Sequence, residues 1–423
     1  MRFFSMKEKH GALLKNTVML TVLQLSTYAL ALITVPYQTR VLGPEVYGVL
    51  GVATAVMVYF QLVCDFGFLL SATEDASLHR EDTAYLSRLM TSVTLCKLVL
   101  AAISAVVLFA LCQLTRWRDK TGLFFLFFLS TVFTSLMPDY LYRGLEKMTA
   151  ITVRTVCIRA FFALCIFLFL KKPEDLWVIP VLNIIGNGIA AAAAYFDLSR
   201  RFSIRFCPVK RTQTLSTMKQ SSVFFLSRIA TTAYTALNTI ILDIISASGA
   251  ATGYYTASDK LITTGRNLLS PISDSLYPYM AKNRDFKMVK KILLAAMPPI
   301  ILFCIACFIW AEPVCVFLLG EEYAPAGQVL RAMLPVGIIT LPSYILGFPT
   351  LGAMGLSKYA NYSVVFGSVL HVVNLTVLLL TNRISMVSLA VLVSCAEFAI
   401  LLFRIVVILR NRDKLRPAED CHE

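Results

Sequence analysis

A chain of 423 residues that is 57% hydrophobic and only 15% charged is neither an ordinary soluble domain nor a disordered one. Its formal charge of +14 does not mark a nucleic-acid binder. The basic residues fall in alternate connections between apolar stretches, which is the pattern of membrane orientation.

About twelve apolar stretches of roughly 20 residues each match the hydrocarbon thickness of a bilayer. Spans are predicted near residues 14–39, 46–70, 89–112, 122–142, 150–170 and 176–198. Six more are predicted near 220–245, 255–280, 292–311, 326–349, 359–380 and 386–409. The first stretch is too long for a cleavable signal and leads straight into more apolar sequence. Backbone hydrogen bonding in lipid requires helices or a closed barrel, and the ten-residue alternation of barrel strands is absent. The expected fold class is an all-α polytopic membrane protein.

The longest connection, 199–219, divides the spans six and six. The expected organisation is an N-terminal lobe (1–198), a basic linker (199–219) and a C-terminal lobe with a short tail (220–423). Connections on the side of the termini carry about 25 Lys and Arg residues against about 8 opposite, which predicts both termini in the cytoplasm. Even-numbered halves imply repeats related by an axis along the membrane normal. Faint echoes support this: Gly43-Pro44-Glu45-Val46-Tyr47-Gly48, Gly249-Ala250-Ala251-Thr252-Gly253-Tyr254-Tyr255, and Leu319-Gly320-Glu321-Glu322-Tyr323.

Six basic residues fall inside predicted spans: Lys97, Arg159, Arg228, Lys260, Arg266 and Arg404. At about 2.5–3.5 kcal/mol each at a helix centre, exposing all six to lipid costs on the order of 15–20 kcal/mol. They are therefore expected to face water, pair with acids or snorkel. Arg404 is expected to snorkel or to pair with Glu397, two turns away, and Lys260 to pair with Asp259 or a neighbouring helix. Lys97 and Arg159 lie nearer mid-span and are candidates for a cavity.

Polar residues recur at helical spacing, as Arg228, Thr231, Thr235 and Asn238 in the seventh span and as Asp259, Thr263, Arg266, Ser270 and Asp274 in the eighth. Such stripes serve either as glue between helices or as cavity lining. A basic lining suits an anionic cargo, because guanidinium grips phosphate through paired hydrogen bonds. Candidate cargo contacts are Arg228, Arg266, Arg159, Lys97 and Asn238. Asp243, Asp259 and Glu397 are candidate ion-coupling carboxylates, each equally able to partner a basic neighbour. His371 reads as a packed, hydrogen-bonded residue. Pro335, Pro342 and Pro349, with Gly337 and Gly347 among them, mark the tenth span for bending, static or functional.

Of eleven cysteines, Cys304 and Cys307 form a C-x-x-C inside an apolar helix with no second pair, which reads as packing. No P-loop, zinc-protease motif or nucleophile elbow occurs, so no cofactor, metal or enzymatic chemistry is expected.

Several segments resemble bacterial polysaccharide repeat-unit flippases, the O-antigen branch of the multidrug/oligosaccharidyl-lipid/polysaccharide exporter superfamily. They are Leu14-Lys15-Asn16-Thr17, Thr39-Arg40-Val41-Leu42-Gly43-Pro44-Glu45-Val46-Tyr47-Gly48, Asp65-Phe66-Gly67-Phe68, and Pro138-Asp139-Tyr140-Leu141-Tyr142-Arg143-Gly144-Leu145-Glu146-Lys147-Met148. Gly253-Tyr254-Tyr255 and Leu319-Gly320-Glu321-Glu322-Tyr323 belong to the same resemblance. It implies two six-helix lobes around a central cavity and alternating-access translocation of an undecaprenyl-diphosphate-linked oligosaccharide. A polysaccharide polymerase and a chain-length regulator are the partners it implies. Tyr140 stands where the family usually has Trp, and Arg143 where it usually has Gln, so cargo detail does not carry over there. A drug/cation antiporter of the same fold and a membrane polymerase or ligase are the rival readings.

Overall fold

The structure is a computed structural model. It describes residues 2–232, 236–246 and 248–415, with side chains from Gln24 onward except at 27–28, 31, 223, 226–235 and 414–415. Its long helices are α1 (Arg2–Asp65), α2 (Phe68–Leu78), α3 (Thr83–Leu114), α4 (Thr121–Ser135), α5 (Asp139–Gly144), α6 (Met148–Phe169), α7 (Val178–Arg201) and α8 (Arg211–Thr232). They continue with α9 (Leu237–Ile245), α10 (Gly249–Asn283), α11 (Phe286–Ile309), α12 (Ala311–Leu319), α13 (Ala326–Ile345), α14 (Ser357–Leu380) and α15 (Met386–Arg410).

The breaks have local causes. Gly43 interrupts α1 at φ 67°, and Phe66 and Gly67, both at positive φ, separate α1 from α2. Glycine takes such angles without the Cβ clash that penalises other residues. Helix starts are capped: Asp82 accepts from the Tyr85 N–H, Ser248 from Ala250, and Asp285 from Lys287 and Met288. Each cap satisfies an N–H that the first turn leaves without a partner.

Among the described residues, nine helical stretches are long and apolar enough to cross a bilayer. The protein is an all-α polytopic membrane protein. The predicted span at 255–280 lies in α10, which is long enough but carries Asp259, Lys260, Arg266 and Asp274. The predicted span at 220–245 is shared by α8 and α9, with 233–235 outside the described residues, and half of 14–39 lies outside the described side chains. Large apolar side chains point outward, such as Val99, Ile103 and Val106 on α3 and Leu302, Phe303 and Ile309 on α11. Faces this apolar belong in lipid.

The chain forms two compact units, one of Met1–Thr34 with Val52–Thr232, the other of Val35–Gly51 with Ala233–Glu423. The boundary falls after α8, downstream of the 199–219 connection. That connection is tied into the first unit. The backbone N–H groups of Arg205 and Cys207 donate to Ser87 Oγ and Thr91 Oγ1, both at 3.1 Å. The first unit's core joins Phe68, Leu86, Met90, Tyr140, Leu141, Tyr142 and Leu198.

In the second unit the three Gly/Tyr motifs meet one another. A Cβ on Gly253 would collide with the Pro44 carbonyl, and one on Gly48 with the Gly249 carbonyl. Small residues here let the 35–51 segment and α10 approach backbone to backbone. The Tyr323 ring meets Tyr47 and Tyr254 edge-on, at 6.3 and 5.8 Å. Arg40 donates to the Phe317 carbonyl, closing the cluster.

Candidate functional site

In the first unit, Lys97 lies buried on α3 opposite the end of α4. Pro138 follows shortly, so the last carbonyls of α4 have no continuing helix to accept from. Lys97 Nζ donates to the Ser135 carbonyl, stands 3.8 Å from Asp65 Oδ1, and lies 5.7 Å from the centroid of the Tyr140 ring. A cation at a helix C-terminus is favoured by the macrodipole, and the ring face adds to that. This is how a charge is held at membrane depth.

Lys97, Asp65, Ser135, Asp139, Tyr140, Arg159 and Asn187 line a cavity of about 190 Å³. Arg159 is exposed and contributes from α6. Asn187 Nδ2 donates to Thr134 Oγ1 at 2.7 Å, joining α7 to α4. Asp139 accepts from Arg154, whose guanidinium lies 5.6 Å from the centroid of the Tyr142 ring. Ser135 Oγ is buried and has no hydrogen-bond partner among the described residues. The cavity is thus wet in chemistry and mixed in charge.

In the second unit, Arg266 of α10 donates to Glu397 Oε1 of α15 at 2.6 Å. Asp259, two turns earlier on α10, is close enough to feel the Arg266 charge. Asn238 is fully buried. Its Nδ2 donates to the Tyr255 hydroxyl at 3.0 Å, and its Oδ1 lies 2.9 Å from His371 Nε2. This linkage ties α9, α10 and α14 together, and Asn238 is packed there rather than open to solvent. Asp243 is also buried on α9. The Arg228 side chain lies outside the described residues, as do those of Thr231 and Thr235.

Two expectations are corrected. Arg404 does not pair with Glu397, because Arg266 occupies that carboxylate. Arg404 turns instead to Ser363 Oγ at 2.9 Å, Ser343 Oγ at 2.9 Å and the Ser343 carbonyl. Lys260 is exposed and, among the described residues, makes no close ion pair, although its charge still acts on Asp259. Of the expected cationic lining, Lys97 faces Asp65 and Arg266 faces Glu397; a third pair, Arg154 with Asp139, lies beside the first-unit cavity.

Asp65 and Asp139 were not singled out as cavity residues from periodicity. The signal was available, since each sits beside a helix break (Phe66-Gly67 and Pro138) within an apolar region. A carboxylate there has water or a cation for company.

A family model described as polysaccharide biosynthesis protein matches residues 13–284. A putative O-antigen transporter of Shigella dysenteriae is 25% identical over 364 residues, covering 84% of this chain and 90% of the relative. A putative O-antigen transporter of Escherichia coli K12 is 25% identical over 284 residues, covering 67% and 68%. Among solved structures, the lipid II flippase MurJ in an inward closed conformation aligns with a TM-score of 0.66 at 12% identity, over 94% of this chain and 90% of its own. An inward-facing MATE-family multidrug resistance transporter aligns at 0.63 and 14% identity, over 95% and 98%. At these identities the structural likeness speaks for the fold.

Proposed function

From the premise that the chain belongs to the polysaccharide biosynthesis protein family, we propose that it is a flippase. It moves an undecaprenyl-diphosphate-linked oligosaccharide, a polysaccharide or O-antigen repeat unit, across the membrane by alternating access. The observation that carries this reading is the set of charged side chains held within apolar helices and converging on polar surroundings. Groups this costly in lipid mark hydrophilic pathways in membrane proteins. Naming of both relatives as O-antigen transporters supports the same reading and a non-enzymatic role.

Cargo contacts are assigned within each unit by itself: Lys97, Arg159 and Arg228 in the first, as candidates for the diphosphate, and Arg266 in the second, with Asn238 shaping that unit's polar interior. Asp243, Asp259 and Glu397 are assigned to ion coupling. Cation binding at Glu397 would free Arg266 for phosphate, which links the two roles through one ion pair. The protein is assigned to the bacterial cytoplasmic membrane with both termini inside, on the strength of the basic-residue bias. A polysaccharide polymerase and a chain-length regulator are its proposed downstream partners.

Deletion of the gene tests the reading. Lipid-linked repeat units should accumulate facing the cytoplasm while polymer disappears from the cell surface. Unchanged surface polymer would refute it. The second reading, a drug/cation antiporter, draws on the acids Asp65 and Asp139 in the first-unit cavity. It predicts an altered drug-resistance profile instead.

A further inference from the structure

A second cavity lies wholly within the second unit, about 640 Å³ in volume, between α10 and the irregular segment that follows α13. Its chemistry differs from the Lys97 cavity. Tyr277, Tyr344 and Phe348 supply three aromatic rings, and Ser273 and Asp274 supply polar groups beside them. Asp274 and Tyr277 are three residues apart on α10, so both reach the same space. Tyr277 and Phe348 meet edge-on at 6.4 Å and are each nearly half exposed. Asp274 is exposed and has no hydrogen bond or ion pair among the described residues.

The backbone is special at this point. Residues Leu346–Leu351 form a π-helical turn in which Gly347 has ψ −122°, away from helical values. π-turns inside helices occur often at functional sites, and irregular backbone in a membrane protein is tolerated where it lines a wet cavity. The turn swings Phe348 outward. Arg404 braces it from behind, through its bonds to Ser343 and Ser363. A Cβ on Gly347 would press on that guanidinium at 3.0 Å, so the close fit depends on glycine. Because Arg404 is committed to this bracing, the carboxylate of Asp274 and the aromatic rings are what the cavity offers a ligand.

We propose that this cavity is a sugar-binding subsite, taking one or two pyranose rings of the translocated oligosaccharide. Aromatic faces stack on the C–H face of a pyranose, where the ring's negative π surface meets weakly positive hydrogens. A free carboxylate accepts from two neighbouring hydroxyls and fixes the ring's orientation. The cation of this lining, Arg404, commits its Nε and Nη1 to Ser363 and Ser343, which argues against a diphosphate here. The cavity lies toward the end of α10 that leads into Lys287, Lys290 and Lys291, which is the cytoplasmic side under the basic-residue bias, where cargo is loaded. The proposal rests on the flippase reading and adds the part of the cargo that this unit holds.

The test uses the full-length protein in detergent micelles and two probes: farnesyl diphosphate bearing a single N-acetylhexosamine, and farnesyl diphosphate alone. Wild-type protein should bind the glycosylated probe more tightly. Tyr277→Ala and Asp274→Asn should each weaken that probe by about tenfold, the loss of one stacked ring or one good hydrogen-bonding group. Neither should change binding of farnesyl diphosphate, and Tyr277→Phe should retain most of the affinity. Variants that lose both probes equally, or neither, overturn the subsite while leaving the flippase reading standing. Wild-type protein that binds neither probe overturns both.

Discussion

Replacing Arg266 alone should destabilise the protein, and replacing it together with Glu397 should largely restore it. The pair is short at 2.6 Å, with side-chain exposures of 22% for Arg266 and 6% for Glu397. With charge centres about 4 Å apart and an effective dielectric near 20, the gross attraction is about 4 kcal/mol. Arg266→Gln strands a buried carboxylate, a change that typically costs about 3–5 kcal/mol, and the partial exposure of Arg266 places the effect at the lower end. Glu397→Gln strands the more exposed partner and should cost less, about 1–2 kcal/mol. The double variant removes both charges and keeps the side-chain volumes, so its loss should fall well below the sum, with a coupling of about 2–3 kcal/mol. Thermal unfolding of the four proteins in one detergent reads this directly. A coupling below about 0.5 kcal/mol, or an Arg266→Gln protein as stable as wild type, would refute the reasoning. The double variant is also the proper carrier for a transport assay, since a stranded Glu397 no longer confuses lost function with lost fold.

Two further outcomes follow from the packing and from the cavity. Gly253→Ala should destabilise by about 2 kcal/mol or more through collision with the Pro44 carbonyl, whereas Gly265→Ala, with open space around it on the same helix, should stabilise by about 0.5–1 kcal/mol. Thermal melts of the two variants check the contrast. A single cysteine at Arg159, in a protein otherwise free of cysteine, should react with membrane-impermeant thiol reagents, while one at Val106 on the lipid-facing side of α3 should not. Equal protection at both positions would mean the first-unit cavity is sealed from water.

Most helices were legible because lipid allows few alternatives: an apolar run of sufficient length must close its own hydrogen bonds. The exceptions follow the same physics. The 255–280 stretch of α10 carries four charges and so falls short as an apolar span, and those charges are what make it useful. Pairings were harder to read. Glu397 and Arg404 share one face of α15, so spacing favoured their union, but Arg266 reaches the carboxylate from α10, 131 positions away in sequence. Arg404 is drawn instead to the carbonyl exposed where α13 breaks up, a break hinted at by Pro342 and Pro349 yet located only by the path of Gly347. The Gly/Tyr motifs carry a second relation that their likeness did not announce: they touch, and two backbones in close approach require glycine.

The central claim is tested most directly by reconstituting the purified protein in sealed vesicles whose two leaflets both contain the organism's own lipid-linked repeat unit. An impermeant glycan-cleaving enzyme added outside destroys the outer pool. The account predicts that vesicles with the protein lose nearly all of the repeat unit, while protein-free vesicles keep about half. An inner pool that stays protected in the presence of well-folded protein would contradict it.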